Sequence, residues 1–121
     1  VHYLFKPDEA ATVAHFRALT EAVAPPVLIY NVIPWNYLSP ALLLRIMREV
    51  PGVLGVKQSQ GDLKLMADLL LDVPAGKLVF TAVDALLYPS FALGSPGVIA
   101  ALPTAVPGPC LALWEAVQRN D

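Results

Sequence analysis

Hydrophobic and polar positions along this chain switch repeatedly between two periods. From Asp8 to Val23, the apolar residues Val13, Phe16, Leu19 and Val23 recur at helical spacing with charged residues between them. That pattern predicts an amphipathic helix, which Pro25-Pro26 stops. Val27-Leu28-Ile29-Tyr30-Asn31-Val32 follows as a short, nearly continuous apolar run rich in β-branched and aromatic residues. Such a run predicts a strand buried on both faces of a parallel sheet. Ser39-Pro40 marks a helix start, with serine as N-cap and proline in the first turn. The helix carries Leu43, Ile46, Met47 and Val50, and Pro51-Gly52 ends it.

The pattern then repeats. Val53-Leu54-Gly55-Val56-Lys57 predicts a second strand, and Asp62 opens a helix through Leu63, Met66, Leu69 and Leu70. Leu78-Val79-Phe80-Thr81 predicts a third strand, followed by a helix from Asp84 through Phe91 that Gly94 and Pro96 close. Gly97-Val98-Ile99-Ala100-Ala101 predicts a fourth strand, and a last helix runs from about Pro109 to Gln118. Helix and strand alternate throughout, which means βαβ crossovers and a parallel sheet. The fold class is therefore α/β. Two architectures fit: an open doubly wound sheet, or part of a (β/α)8 barrel. A complete barrel takes about 250 residues, and this chain has 121.

Composition narrows the picture. The chain is 56% hydrophobic and 15% charged, which excludes disorder. With a net charge of −2 and eight scattered Lys and Arg residues, it has no basic patch for a nucleic-acid backbone. No apolar run reaches the roughly 20 residues that a membrane helix needs. Cys110 is the single cysteine, so an internal disulfide and a multi-cysteine metal site are both excluded. This suits a reducing compartment, and a cytoplasmic location is expected. No charged region leads into an apolar stretch at the start, so no signal peptide is expected. The abrupt start on Val1-His2-Tyr3-Leu4-Phe5 is expected to be a cut through something longer.

Lys57 ends a strand in which Val53, Gly55 and Lys57 are expected to share one face, because side chains alternate with period two. In a barrel that face can be the interior, and the C-terminal strand end is the catalytic mouth. A lysine amine shielded from water is more often uncharged, and a neutral amine can attack a carbonyl to form a Schiff base. The competing reading is a lysine that merely ends a strand and reaches water. Tyr30 holds the equivalent place in the preceding strand, where a phenol could shuttle a proton. Its alternative is a core tyrosine with the hydroxyl bonded to backbone. Asp62 and Asp84 read most simply as N-caps, and Gly55 and Gly61 would permit close backbone approach to a small ligand. No GxGxxG motif or Walker loop is present. His2 and His15 lie far apart, and no metal-ligand cluster is visible. Trp35 and Trp114 read as packing residues, with Trp35 also placed to line a site after the first strand.

These segments converge on a known family. Ile29-Tyr30-Asn31-Val32 resembles the Y-N-V-P strand end of the dihydrodipicolinate synthase / N-acetylneuraminate lyase family. Gly52 to Leu63 resembles its G-I-K-E-A-S-G-D-L signature, and Tyr3-Leu4-Phe5-Lys6-Pro7 its Y-Y-F-K-P. Val83-Asp84-Ala85 with Leu93-Gly94-Ser95-Pro96-Gly97-Val98-Ile99 resembles D-D-A … L-G-A-x-G-V-I-S. The resemblance implies that residues 1–121 are one partial TIM (β/α)8-barrel domain, the C-terminal half, with about four strands. The preceding half and the terminal helices are then expected to lie outside this sequence. It implies that Lys57 is the Schiff-base lysine for pyruvate or another 2-oxo acid, and that Tyr30 relays protons at the imine. Thr81, Ala82 and Ile99 would line the substrate site. No metal or organic cofactor is implied, and a homo-oligomer, dimer or tetramer, is.

Two departures stand out. The synthase branch carries an arginine shortly after Y-N-V-P that grips a substrate carboxylate. Here the loop reads Ile33-Pro34-Trp35-Asn36-Tyr37-Leu38-Ser39-Pro40, shorter and without arginine, which favours an uncharged second substrate. The second tyrosine of Y-Y-F-K-P is replaced by Leu4. Three functional readings follow. The first is a class I lyase, aldolase or synthase, active in the intact protein. The second is an inactive relative or a half-barrel structural fragment. The third is an open flavodoxin-like nucleotide binder, for which the loop after the first strand offers little glycine or hydroxyl.

Overall fold

The computed structural model describes residues 4–120; the expectations for His2 and Tyr3 lie outside the described residues. Three parallel strands, β1 (Val27–Asn31), β2 (Val53–Gln58) and β3 (Leu78–Thr81), form one sheet in that spatial order. Helices α1 (Glu9–Ala22), α2 (Pro40–Glu49) and α3 (Leu63–Asp72) precede and connect them. Helices α4 (Leu87–Ala92), α5 (Leu102–Ala105) and α6 (Pro107–Arg119) complete the described chain. Short 3-10 turns at Pro34–Asn36 and Asp84–Leu86 follow β1 and β3.

The starts of the first three helices were legible because each has a side-chain cap. Asp8 Oδ1 accepts from the Ala11 amide at 2.7 Å, and Ser39 Oγ from Leu42 at 3.2 Å. Asp62 Oδ1 accepts from Lys64 and Leu65 at 2.8 and 3.3 Å. Each cap satisfies donors that the first helical turn leaves open. Asp84 differs from its expected role. It does not cap the turn it begins; its carboxylate accepts from the Leu102 amide at 2.8 Å and ties the loop after β3 to the start of α5.

One core lies between the sheet and α1–α3. Val13 and Phe16 of α1, Leu43, Ile46 and Met47 of α2, and Met66 and Leu69 of α3 pack with Ile29, Val56 and Val79 of the strands. A smaller cluster joins Leu87 and Phe91 to Cys110, with Val98 and Trp114 against it.

Among the described residues, the opposite face of the sheet has no such cover. It presents Leu28 and Tyr30 of β1, Lys57 of β2, and Leu78 and Phe80 of β3, and these are only half-buried or exposed. Tyr30 is 54% exposed.

Two features depart from the sequence-based expectation. The fourth strand contracts to a single parallel bridge between Thr81 and Val98, held by Thr81 N–H to Gly97 O at 3.2 Å and Ile99 N–H to Thr81 O at 3.0 Å. With a neighbour on one side only, and Pro96 unable to donate, residues 97–101 make too few ladder bonds to extend further. The second departure is a register shift. Val27 pairs with Val53, but Leu28 pairs with Gly55, so Leu54 is an extra residue and β2 bulges. Val53 therefore belongs to the helix-side core, while Gly55 and Lys57 lie on the open face. Simple alternation would have put all three together.

Gly55 is required there. A Cβ at this position would stand 1.9 Å from the Leu78 carbonyl oxygen and 2.8 Å from Leu78 C and N. The colliding atoms are backbone of the neighbouring strand, so relief means parting β2 from β3. We expect Gly55→Ala to destabilise the intact protein by about 3 kcal/mol, the upper range for forced overpacking. A denaturant titration reads this as a lowered midpoint; an unchanged midpoint would show that the two strands separate without cost.

Candidate active site

The carboxyl ends of three parallel strands come together at one edge of the sheet. There Tyr30 pairs with Lys57, and Lys57 with Phe80. Because registered partners point to the same side, the phenol and the amine share the open face. Lys57 Nζ lies over the Tyr30 ring, 3.8 Å from its centroid. The ammonium thus rests against the electron-rich face of the phenol. Lys57 as a whole is half-buried.

Behind this face, strand alternation sends Asn31, Gln58 and Thr81 toward the helices, and all three are buried, at 2%, 2% and 3% exposure. Asn31 Nδ2 donates to Gln58 Oε1 at 2.8 Å and to the Leu38 carbonyl at 3.1 Å, while Asn31 Oδ1 accepts from the Leu38 amide at 2.9 Å. One side chain therefore joins β1 to β2 and clamps the end of the loop that carries Trp35. Ser59 N–H continues the pairing to the Asn31 carbonyl at 3.3 Å. Among the described residues, buried Gln58 Nε2, Ser59 Oγ and Gln60 Oε1 have no hydrogen-bond partner.

The residues expected to line a substrate site are distributed unevenly. Ala82 follows Phe80 by two positions, just past the end of β3, and is half-buried. Ile99 is 40% exposed beside the Thr81 bridge. The Thr81 hydroxyl is not on the Lys57 face; it accepts from Ser90 Oγ at 3.0 Å on the helix side. Its main chain is used by Gly97 and Ile99. Ser95 closes the same corner, donating to the carbonyls of Val79 and Gly97, both at 2.9 Å. Trp35 sits in the turn beyond β1 and is 58% exposed. Among the described residues, no group of three His, Cys, Asp or Glu side chains could hold a metal ion, and no helix is long and apolar enough to cross a membrane.

Sequence reading passed over Asn31 and Gln58 as participants. Their signal was an amide at a helix-facing position in otherwise apolar strands, which demands a partner because buried polar groups are rarely left alone.

Comparison with known proteins identifies the family. The profile of the Dihydrodipicolinate synthetase family matches residues 1–120. The 4-hydroxy-tetrahydrodipicolinate synthase of Salinibacter ruber is 34% identical over 122 aligned residues, covering 98% of this chain and 40% of the relative. That of Maridesulfovibrio salexigens is 36% identical, covering 98% and 41%. The crystal structure of a putative dihydrodipicolinate synthetase from Pseudomonas aeruginosa superposes with a TM-score of 0.89 at 33% identity, over 100% of this chain and 42% of that one. YagE of Escherichia coli, solved in complex with pyruvate, shares the fold with a TM-score of 0.90 at 23% identity. The chain thus spans about two fifths of the length of the relatives it matches. A family match over nearly every residue, joined to a lysine and a tyrosine on paired strand ends, leaves one conclusion: the chain belongs to the dihydrodipicolinate synthetase family.

Proposed function

We propose that the intact protein is a class I lyase, aldolase or synthase that activates pyruvate or a related 2-oxo acid as a Schiff base on Lys57. The observation that carries this reading is the juxtaposition of the Lys57 amine with the Tyr30 ring at the carboxyl ends of adjacent parallel strands. Catalytic groups of (β/α)8 enzymes occupy that end of the strands.

The chemistry follows from the two groups. The unprotonated Lys57 amine attacks C2 of the 2-oxo acid to give a carbinolamine. Loss of water, with a proton supplied to the departing hydroxyl, leaves a protonated imine. The imine draws electrons from C3, so a C3 proton departs and an enamine forms. The enamine carbon then adds to an aldehyde, and hydrolysis frees Lys57; cleavage is the reverse. Tyr30 is the relay for the protons moved at C2. Its hydroxyl is at the rim of the ring on which the amine rests, and rotation about the lysine stem carries the amine to it.

The open face of the sheet supports a partial barrel. Tyr30, Lys57 and Phe80 would be interior positions, and the missing strands would close the edge beyond β1. The residues 97–101 would then gain a neighbour on both sides. Exposed Ile99, Leu102, Val106 and Leu111 mark further apolar surface consistent with cover by the rest of such a protein. Homo-oligomerisation and a cytoplasmic location complete the reading; the buried free thiol of Cys110 suits a reducing compartment.

The absence of an arginine in the Ile33–Ser39 loop favours an uncharged acceptor aldehyde. The test of the central claim is borohydride reduction of the intact protein with pyruvate, followed by peptide mass analysis. One reduced pyruvyl adduct is expected, on Lys57. An unmodified Lys57 would reject the proposal in favour of an inactive relative.

A further inference from the structure

We propose that Gln58 is a positioning residue for this chemistry, acting from behind the sheet to hold the Lys57 amine against Tyr30; the inference rests on the Schiff-base reading above. Gln58 does not reach the open face. It is 2% exposed on the helix side, one residue after Lys57, as Asn31 is one residue after Tyr30. Those two amides are joined at 2.8 Å, directly behind the pair that faces the substrate. Fixing one side of the two strand ends fixes the other, because each amide shares a peptide with its catalytic neighbour.

The energetics argue that this bond serves more than stability. Gln58 keeps one buried donor, Nε2, with no partner. An unsatisfied buried donor is costly, and an apolar side chain of the same length would avoid that cost. A parallel pair with apolar side chains alone can slide, and a slip of one residue sends every side chain to the other face. The register here is already interrupted near its start, where Leu54 is extra. The Asn31–Gln58 bond lies at the other end of the pair and marks which residues must stand side by side. Through Asn31 it also reaches the Leu38 main chain, so the loop above the site and the lysine strand share one anchor.

Hydrogen–deuterium exchange at C3 of pyruvate tests this without knowledge of the second substrate, since exchange needs only imine and enamine formation. In the intact protein, Gln58→Met is expected to lower the exchange rate at saturating pyruvate by about tenfold or more, in line with the rate losses from small misplacements of reacting groups. The pyruvate concentration at half-saturation should change by less than about threefold, because no group touching the 2-oxo acid is altered. Gln58→Glu retains an oxygen that accepts from Asn31 and is expected to restore the rate to within about threefold of the parent. If Gln58→Met does not fold, Gln58→Asn carries the same prediction, being one methylene too short to reach Asn31. A parent-like rate in the Met or Asn variant overturns the inference, as does a Glu variant no better than these. A parent protein that neither exchanges pyruvate nor traps it on Lys57 overturns the Schiff-base reading itself, and this inference with it.

Discussion

Replacing Lys57 by methionine is expected to reduce pyruvate exchange to the rate of the uncatalysed reaction, a loss of about four orders of magnitude or more, comparable to removal of a catalytic nucleophile. Methionine matches the length of the lysine stem at the position registered with Tyr30 and Phe80, so the substitution removes the amine with little change of volume. The fold should persist, because the main core lies on the other side of the sheet. Borohydride with pyruvate should then leave the protein without an adduct, while the denaturation midpoint stays near that of the parent. Exchange surviving in this variant would mean that another amine, or no amine, carries the chemistry. Lys77 is the nearest competitor in kind. It is committed elsewhere, however, donating to the carbonyls of Pro51 and Val53 at the opposite end of β2.

Tyr30→Phe should slow exchange by about 10²- to 10³-fold, within the range of general acid–base contributions. It should not abolish the borohydride adduct. The ring remains to support the Lys57 head at its present distance, since the 3.8 Å contact is with the ring and not the hydroxyl. Only the relay is removed, so imine formation becomes slow and still goes to completion. A time course of trapping separates the two cases: the same end point reached late indicates a lost relay, whereas a lower end point indicates lost binding. A parent-like time course would assign Tyr30 to packing alone. Together with Lys57→Met, this variant distinguishes a group that forms the covalent bond from one that moves protons around it.

How much of this was legible beforehand varies by element. The helices α1–α3 were readable because amphipathic spacing and a side-chain cap coincide at Asp8, Ser39 and Asp62. The strands β1–β3 were readable as short apolar runs between proline and glycine. The pairing of Tyr30 with Lys57 also followed once the strands were aligned by their carboxyl ends. Non-local geometry was not legible. Alternation alone cannot reveal that Leu54 is extra, because the bulge is a property of two strands and not of one. Nor can it show that Asp84 reaches forward to the Leu102 amide across eighteen positions. The family resemblance implied that Thr81 lines the substrate site, and it could not show that the hydroxyl accepts from Ser90 on the helix side. The parity of a strand end decides this, and parity is fixed by the sheet.

The extra residue at Leu54 has a consequence for how this stretch can vary. The bulge takes it up locally, so Val53 stays in the helix-side core while Lys57 stays on the open face. Dropping that one residue would remove the bulge and restore plain alternation, with Val53 still toward α2 and the amine still on the open face. Related proteins can therefore carry or lack this residue without moving the amine across the sheet, whereas a length change that no bulge absorbs would turn it toward the helices.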